Sequence, residues 1–348
     1  MLRIALATAA AVFATLMLAG WSHAATATRG YLKTVSAANL GDGSGRVRDG
    51  LVTARARAFA AAQLTGWGGA YTTPSGESVN VFSSNAYPVD PAANQAIANF
   101  LASLVHGKEL PKVTVYMAPA VEVGSLCHSE EADGCYFPAS GQLISIGEDS
   151  QWSTVEEVLT HEYGHHVATN RTNAPWNASA WGTKRWATEE NVCRRTAMGM
   201  SFPGDEGDHY LSNPGEAFAE SFLHLNEVRN GQPETRWFYD PYFAPTPASL
   251  KAIELDVLKP WNGWSVYTWK GRFSRRGELR MATLRTPLDG VFELRLKAPR
   301  GSRIKILAKE TKQISPTVAQ GLICGDRTFT TQVAAGGAGA FTARALVP

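Results

Sequence analysis

Two histidines four residues apart constrain this chain more than any other feature. His161 and His165 stand in Val158-Leu159-Thr160-His161-Glu162-Tyr163-Gly164-His165-His166-Val167. Side chains at i and i+4 meet on a helix, where they share one face a turn apart. The surrounding apolar residues predict a helix over residues 152–168, capped at Ser150 or Ser153. Two imidazoles on one face can aim at one ion, and zinc accepts neutral His nitrogens at about 2.0–2.1 Å. Glu162, next to His161, can reach a zinc-bound water rather than the metal and take its proton during attack on a carbonyl. His166 points roughly 100° away around the helix and is expected to be packed or solvent-facing.

A catalytic zinc needs a third protein ligand and an open position. A third His in metzincin spacing is excluded, because Ala168 and Arg171 occupy its Gly and His positions. The better candidate is Glu216, in Asn213-Pro214-Gly215-Glu216-Ala217-Phe218-Ala219-Glu220. Asn213 suits an N-cap and Pro214 a first turn, predicting a helix over residues 214–225. Glu216 and Glu220 share a face of it. One can bind zinc while the other fixes the tautomer of a ligand His. Ala217, Phe218, Ala219 and Phe222 make this helix largely apolar, and carboxylates in such surroundings need partners. Asp205, Glu206 and His209 are the next candidates. His209 and His224 otherwise read as structural, and Trp176, Trp181 and Trp186 as core or groove aromatics.

Here the chain resembles the gluzincin zinc metallopeptidases, on His161-Glu162-Tyr163-Gly164-His165 and Glu216-Ala217-Phe218-Ala219-Glu220. Within that group it is similar to the branch of the anthrax lethal factor catalytic domain, over about residues 67–258. The resemblance implies an α+β zincin-like catalytic domain with one zinc held by His161, His165 and Glu216. It implies Glu162 as general base, Glu220 as the outer partner of a ligand, and Tyr210, just before the third ligand, as an oxyanion donor. The tail resembles the bacterial pre-peptidase C-terminal domain, on Thr286-Pro287-Leu288-Asp289-Gly290 and Cys324-Gly325-Asp326-Arg327.

The rest of the chain supplies a frame. Arg3, the uncharged stretch 4–20 and Ser22-His23-Ala24 read as a signal peptide over residues 1–24, so the chain is expected to be secreted, extracellular or periplasmic. Residues 25–66 read as an N-terminal extension or pro-segment, with a helix near 46–63 and Gly66-Trp67-Gly68-Gly69 as loop. Strands are expected at 78–82, 113–117 and 143–146, and a helix at 91–105 with Asp90 as cap. The pattern changes at 259–263. Beyond it, short alternating segments at 278–285, 290–296, 303–307, 328–333 and 339–346 predict a small all-β sandwich over residues 262–348.

Four cysteines in an exported chain point to two disulfides, Cys127–Cys135 across a short polar loop and, by elimination, Cys193–Cys324. No Cys-x-x-Cys spacing supports a thiolate zinc site. Net charge is +2 and the one basic stretch, Arg272, Arg275 and Arg276, is short, so no nucleic-acid partner is expected. No later segment is apolar enough to span a bilayer, so no membrane partner is expected after signal removal. The expected substrate is a peptide or protein. Two other readings compete: an exported binding protein with a structural zinc, and a zinc hydrolase of a non-peptide bond.

Overall fold

The computed structural model describes residues 66–307 and 311–348. The expected signal peptide, and all of the expected extension except Gly66, lie outside the described residues. The chain is mixed α/β in its first part and all-β in its second.

A hairpin of β1 (Gly66–Thr72) and β2 (Ser78–Ser84) leads into β3 (Thr114–Ala118) and β5 (Gln142–Ile146), which run parallel to β2 and to each other. β4 (Gly134–Phe137) pairs antiparallel with β5 at the edge, giving the order β1-β2-β3-β5-β4. The stretch read as a glycine loop is strand β1. A Cβ on Gly68 would lie 2.2 Å from the Val81 carbonyl oxygen, so glycine permits this close pairing. β3 and β5 are buried on both faces. Val115 and Leu143 join one apolar cluster, while their neighbours Tyr116 and Ile144 join another.

Helix α1 (Pro91–Ser103) starts as expected. The Asp90 carboxylate accepts from the amides of Ala92 (3.0 Å) and Ala93 (3.2 Å), with Pro91 in the first turn. Helix α2 (Ala120–Cys127) follows β3. Helix α3 (Val155–Thr169) carries the two histidines, and its cap corrects the expected one. Thr154 accepts from the Glu157 amide at 3.2 Å, and the Glu157 carboxylate accepts from the Thr154 amide at 2.8 Å. This reciprocal pair needs Glu at the third helical position; Ser153 with Glu156 has the same spacing, and the bonds formed are those of Thr154 with Glu157. Ser150 instead accepts from the amides of Trp152 and Ser153, closing a turn before the helix.

Three short helices follow: α4 (Ala178–Trp181), α5 (Lys184–Glu189) and α6 (Val192–Ala197). Helix α7 (Pro214–Asn230) begins at its expected Asn213 cap but runs five residues past 225. The chain leaves it only at Gly231, whose φ of 64° supplies a left-handed stop. Helix α8 (Pro247–Leu258) closes the first part behind a Thr246/Ser249 capping box.

The second part forms two antiparallel sheets. Their strands are β6 (Ser265–Phe273), β7 (Leu279–Arg285), β8 (Gly290–Lys297), β9 (Arg303–Ile306), β10 (Thr311–Ser315), β11 (Val318–Ile323), β12 (Thr328–Ala334) and β13 (Gly339–Val347). One sheet has the order β10-β11-β8-β13-β6 and the other β7-β12-β9. Residues from both sheets share one apolar cluster, with Phe292 against Phe329 at 4.2 Å between ring centroids. β6, β10 and β11 are additions to the expected strands.

No residue of this cluster belongs to the clusters of the first part. The Cys193–Cys324 disulfide spans the junction, with a Cα separation of 5.3 Å. The Asp289 amide also donates to Thr188 Oγ1 at 3.1 Å. Cys127–Cys135 is the other bridge, so both expected pairings are present. No described helix is long and apolar enough to cross a membrane.

Candidate metal centre

Helices α3 and α7 cross with almost no side chain between them at Gly164. A Cβ there would lie 2.9 Å from Ala219 Cα and 3.1 Å from its carbonyl oxygen. The glycine between the histidines and the alanine between the glutamates let two backbones meet. That approach carries the polar faces of both helices to one point.

His161, Glu162, His165, Glu216 and Glu220 are all fully buried. His161 Nδ1 donates to Glu220 Oε2 at 2.9 Å. An ionised carboxylate only accepts, so the proton sits on Nδ1 and the Nε2 lone pair faces inward. That nitrogen lies 3.3 Å from Glu216 Oε2, and His165 Nε2 lies 3.3 Å from the same oxygen. Neither ring nitrogen of His165 has a hydrogen-bond partner. Two imidazole nitrogens and a carboxylate oxygen, all atoms of a kind that can bind a metal ion, therefore lie within 4.8 Å of one another. Lone pairs at that spacing repel unless a positive charge lies among them.

The donor set fits zinc. Bonds of about 2.0–2.1 Å in a tetrahedron put neighbouring ligand atoms about 3.3–3.4 Å apart. Both His–Glu216 separations meet that value. Charge agrees as well, since Glu162, Glu216 and Glu220 bury three carboxylates around two imidazoles. Three protein donors would leave one position of a tetrahedral ion open.

Glu162 lies against the edge strand. Its Oε1 sits 3.0 Å from the point a Cβ on Gly134 would occupy, so glycine in β4 makes room for the carboxylate. Tyr210, in the single turn Tyr210–Ser212 before α7, donates to Glu216 Oε2 at 3.1 Å. The structure thus gathers His161, His165, Glu216, Glu220 and Tyr210, with Glu162 on the helix turn between the two histidines.

Other sequence candidates lie elsewhere. His209 donates to Asp205 at 2.7 Å and stacks on Phe202, while Glu206 accepts from Asn213 at 2.7 Å. His224 is buried beside Glu227 and Trp237. His166 is packed rather than solvent-facing. Its Nε2 donates to the Glu109 carbonyl at 3.0 Å and its Nδ1 accepts from the Tyr136 hydroxyl at 2.9 Å. Trp186 is core, against Phe218 and Phe243, whereas the half-buried Trp176 and Trp181 stack on each other. The sequence reading missed Tyr239, 5 % exposed and nearly parallel to the His161 ring at 6.4 Å. Its signal was the run Trp237-Phe238-Tyr239 inside an otherwise polar stretch.

No family model and no curated protein matches the chain. Among solved structures it is similar to one described as the IMPa metallopeptidase from Pseudomonas aeruginosa, with 11 % identity and a TM-score of 0.18. The match covers 77 % of this chain and 41 % of that one, so the chain spans about two-fifths of the length of that protein. Overlap at that level is what unrelated folds show, and the case for metal chemistry comes from the donor atoms themselves.

Proposed function

We propose that this chain is a secreted zinc-dependent endopeptidase. Its catalytic part is residues 67–258, and residues 262–348 form an accessory β-sandwich. The observation that carries this reading is the convergence of His161 Nε2, His165 Nε2 and Glu216 Oε2, two contacts at 3.3 Å, beside the buried Glu162. His161, His165 and Glu216 would hold the ion, with Glu220 fixing the His161 tautomer. Zinc held there would supply Lewis acidity toward a carbonyl and a nucleophile at neutral pH. Glu162 takes a proton from the attacking water and delivers it to the leaving amine. Tyr210 donates to the oxygen that gains charge.

Glu162 favours catalysis over a structural ion, because a structural site needs no base and usually takes four protein ligands. Two disulfides suit an oxidising compartment. The test is hydrolysis of a mixed peptide library by purified protein. Cleavage abolished by a chelator and restored by zinc supports the reading. Stoichiometric zinc with no peptide cleaved overturns it and favours a non-peptide bond or a binding role.

A further inference from the structure

We propose that Tyr239 is a positioning residue, donating its hydroxyl proton to Tyr210 and so holding the Tyr210 O–H for the reacting carbonyl; this rests on the peptidase reading above. Tyr239 lies in the irregular stretch between α7 and the turn Pro241–Phe243. That stretch is tied down from several sides. The Asp240 amide donates to the Leu211 carbonyl at 2.8 Å, setting residue 239 beside residue 210. Arg195 donates to the Asp240 carboxylate at 2.8 Å, Trp237 Nε1 to the Asp240 carbonyl at 3.2 Å, and the Thr235 amide to Glu227 at 3.0 Å.

The two phenol oxygens are 3.0 Å apart, and Tyr210 donates to Glu216 at 3.1 Å. A phenol carries one proton. With the Tyr210 proton directed to Glu216, the contact between the phenols uses the proton of Tyr239. The order is therefore Tyr239 to Tyr210 to Glu216. A hydroxyl that accepts a hydrogen bond becomes a stronger donor in turn. When the Tyr210 proton turns from Glu216 toward a substrate oxygen, its own oxygen stays anchored. Tyr239 touches neither substrate nor ion in this scheme. It acts through Tyr210, and its ring packs on Trp237 and His161. Packing alone would be served equally by Phe, so the hydroxyl is the informative atom.

The test compares Tyr239→Phe, Tyr210→Phe, the double variant and Tyr239→His, which keeps a ring with a donor. Protein carrying 13C at the tyrosine Cζ reports the hydrogen bond without any turnover. In Tyr239→Phe the Tyr210 resonance should move, while circular dichroism and zinc retained after dialysis stay unchanged. On a cleaved library peptide, kcat should fall about tenfold, as for one lost hydrogen bond, with KM changed less than about twofold. The double variant should be no slower than Tyr210→Phe, and Tyr239→His should regain part of the loss. An unmoved Tyr210 resonance, wild-type kcat in Tyr239→Phe, or losses that multiply in the double variant would each overturn the proposal. Wild-type protein that binds zinc but cleaves nothing defeats the peptidase reading instead, and the carbon signal then decides alone whether Tyr239 donates to Tyr210.

Discussion

Gly164→Ala tests the helix crossing on which the site depends. The added methyl would sit 2.9 Å from Ala219 Cα, 3.1 Å from its carbonyl oxygen and 3.3 Å from its Cβ. Carbon pairs prefer about 3.5–4.0 Å, so α3 and α7 must separate by about 0.5–1 Å. Overpacking of this kind costs about 1–3 kcal/mol. Alanine returns about 1 kcal/mol over glycine inside a helix, so the net loss of apoprotein stability should be small, on the order of 1 kcal/mol. The proposed metal site should suffer more. A separation of that size opens the 3.3 Å contacts of Glu216 toward about 4 Å, beyond what bonds of about 2.0–2.1 Å span. Zinc affinity should fall about 10- to 100-fold, as when an outer partner of a ligand is lost. Urea denaturation of the apoprotein gives the first number, and competition with a chromophoric chelator the second. Wild-type affinity together with wild-type stability would refute the close crossing.

Gly134→Ala should lower turnover about 100-fold, because the methyl would meet Val158 Cγ1 at 2.6 Å and Glu162 Oε1 at 3.0 Å and push the Glu162 carboxylate from its place beside β4; peptide hydrolysis measures the loss. Removing Cys193–Cys324 with a double Cys→Ser variant should cost up to about 5 kcal/mol for a closed loop of 131 residues, and removing Cys127–Cys135 up to about 2.5 kcal/mol for a separation of 8, so the denaturation midpoint should drop further for the first pair. Burial raises the Glu190 carboxyl from 4.5 to about 7, against a hydrogen bond from Ser249. The folded state therefore holds that proton where the unfolded state has lost it, and this group's penalty builds as pH rises from 4.5 to about 7. Glu190→Gln should stabilise the protein by about 2–3 kcal/mol above pH 7, and the gain should vanish near pH 4, as read by melting across that range.

Legibility followed sequence distance. His161, His165 and Glu162 are readable because i to i+4 geometry is local, and Glu216 with Glu220 repeats that spacing next to an unambiguous Asn213-Pro214 start. The partnership of the two helices lies in Gly164 and Ala219, small residues whose meaning appears only when the backbones touch. Strand β1 looked like a loop because glycine weakens strand preference, while its hairpin partner needs that glycine for a close approach. β4 is four residues long, and its role depends on Glu162 lying against Gly134. The sequence does not single out the α3 cap, because several Ser and Thr residues precede the helix and only the reciprocal Glu157 bond selects Thr154. Tyr239 is 23 residues past Glu216 in irregular chain, and only the Asp240–Leu211 hydrogen bond brings it to Tyr210.

Two glutamates of the site should fail in different ways when substituted. Glu162→Gln keeps all three proposed ligands and should retain one zinc per chain after dialysis while peptide turnover collapses. Glu216→Ala removes a proposed charged ligand and should lose both zinc and turnover. The measurement is zinc content and peptide hydrolysis on the same dialysed samples of wild type and both variants. Full zinc retention and activity in Glu216→Ala, or undiminished turnover in Glu162→Gln, would contradict the proposed roles.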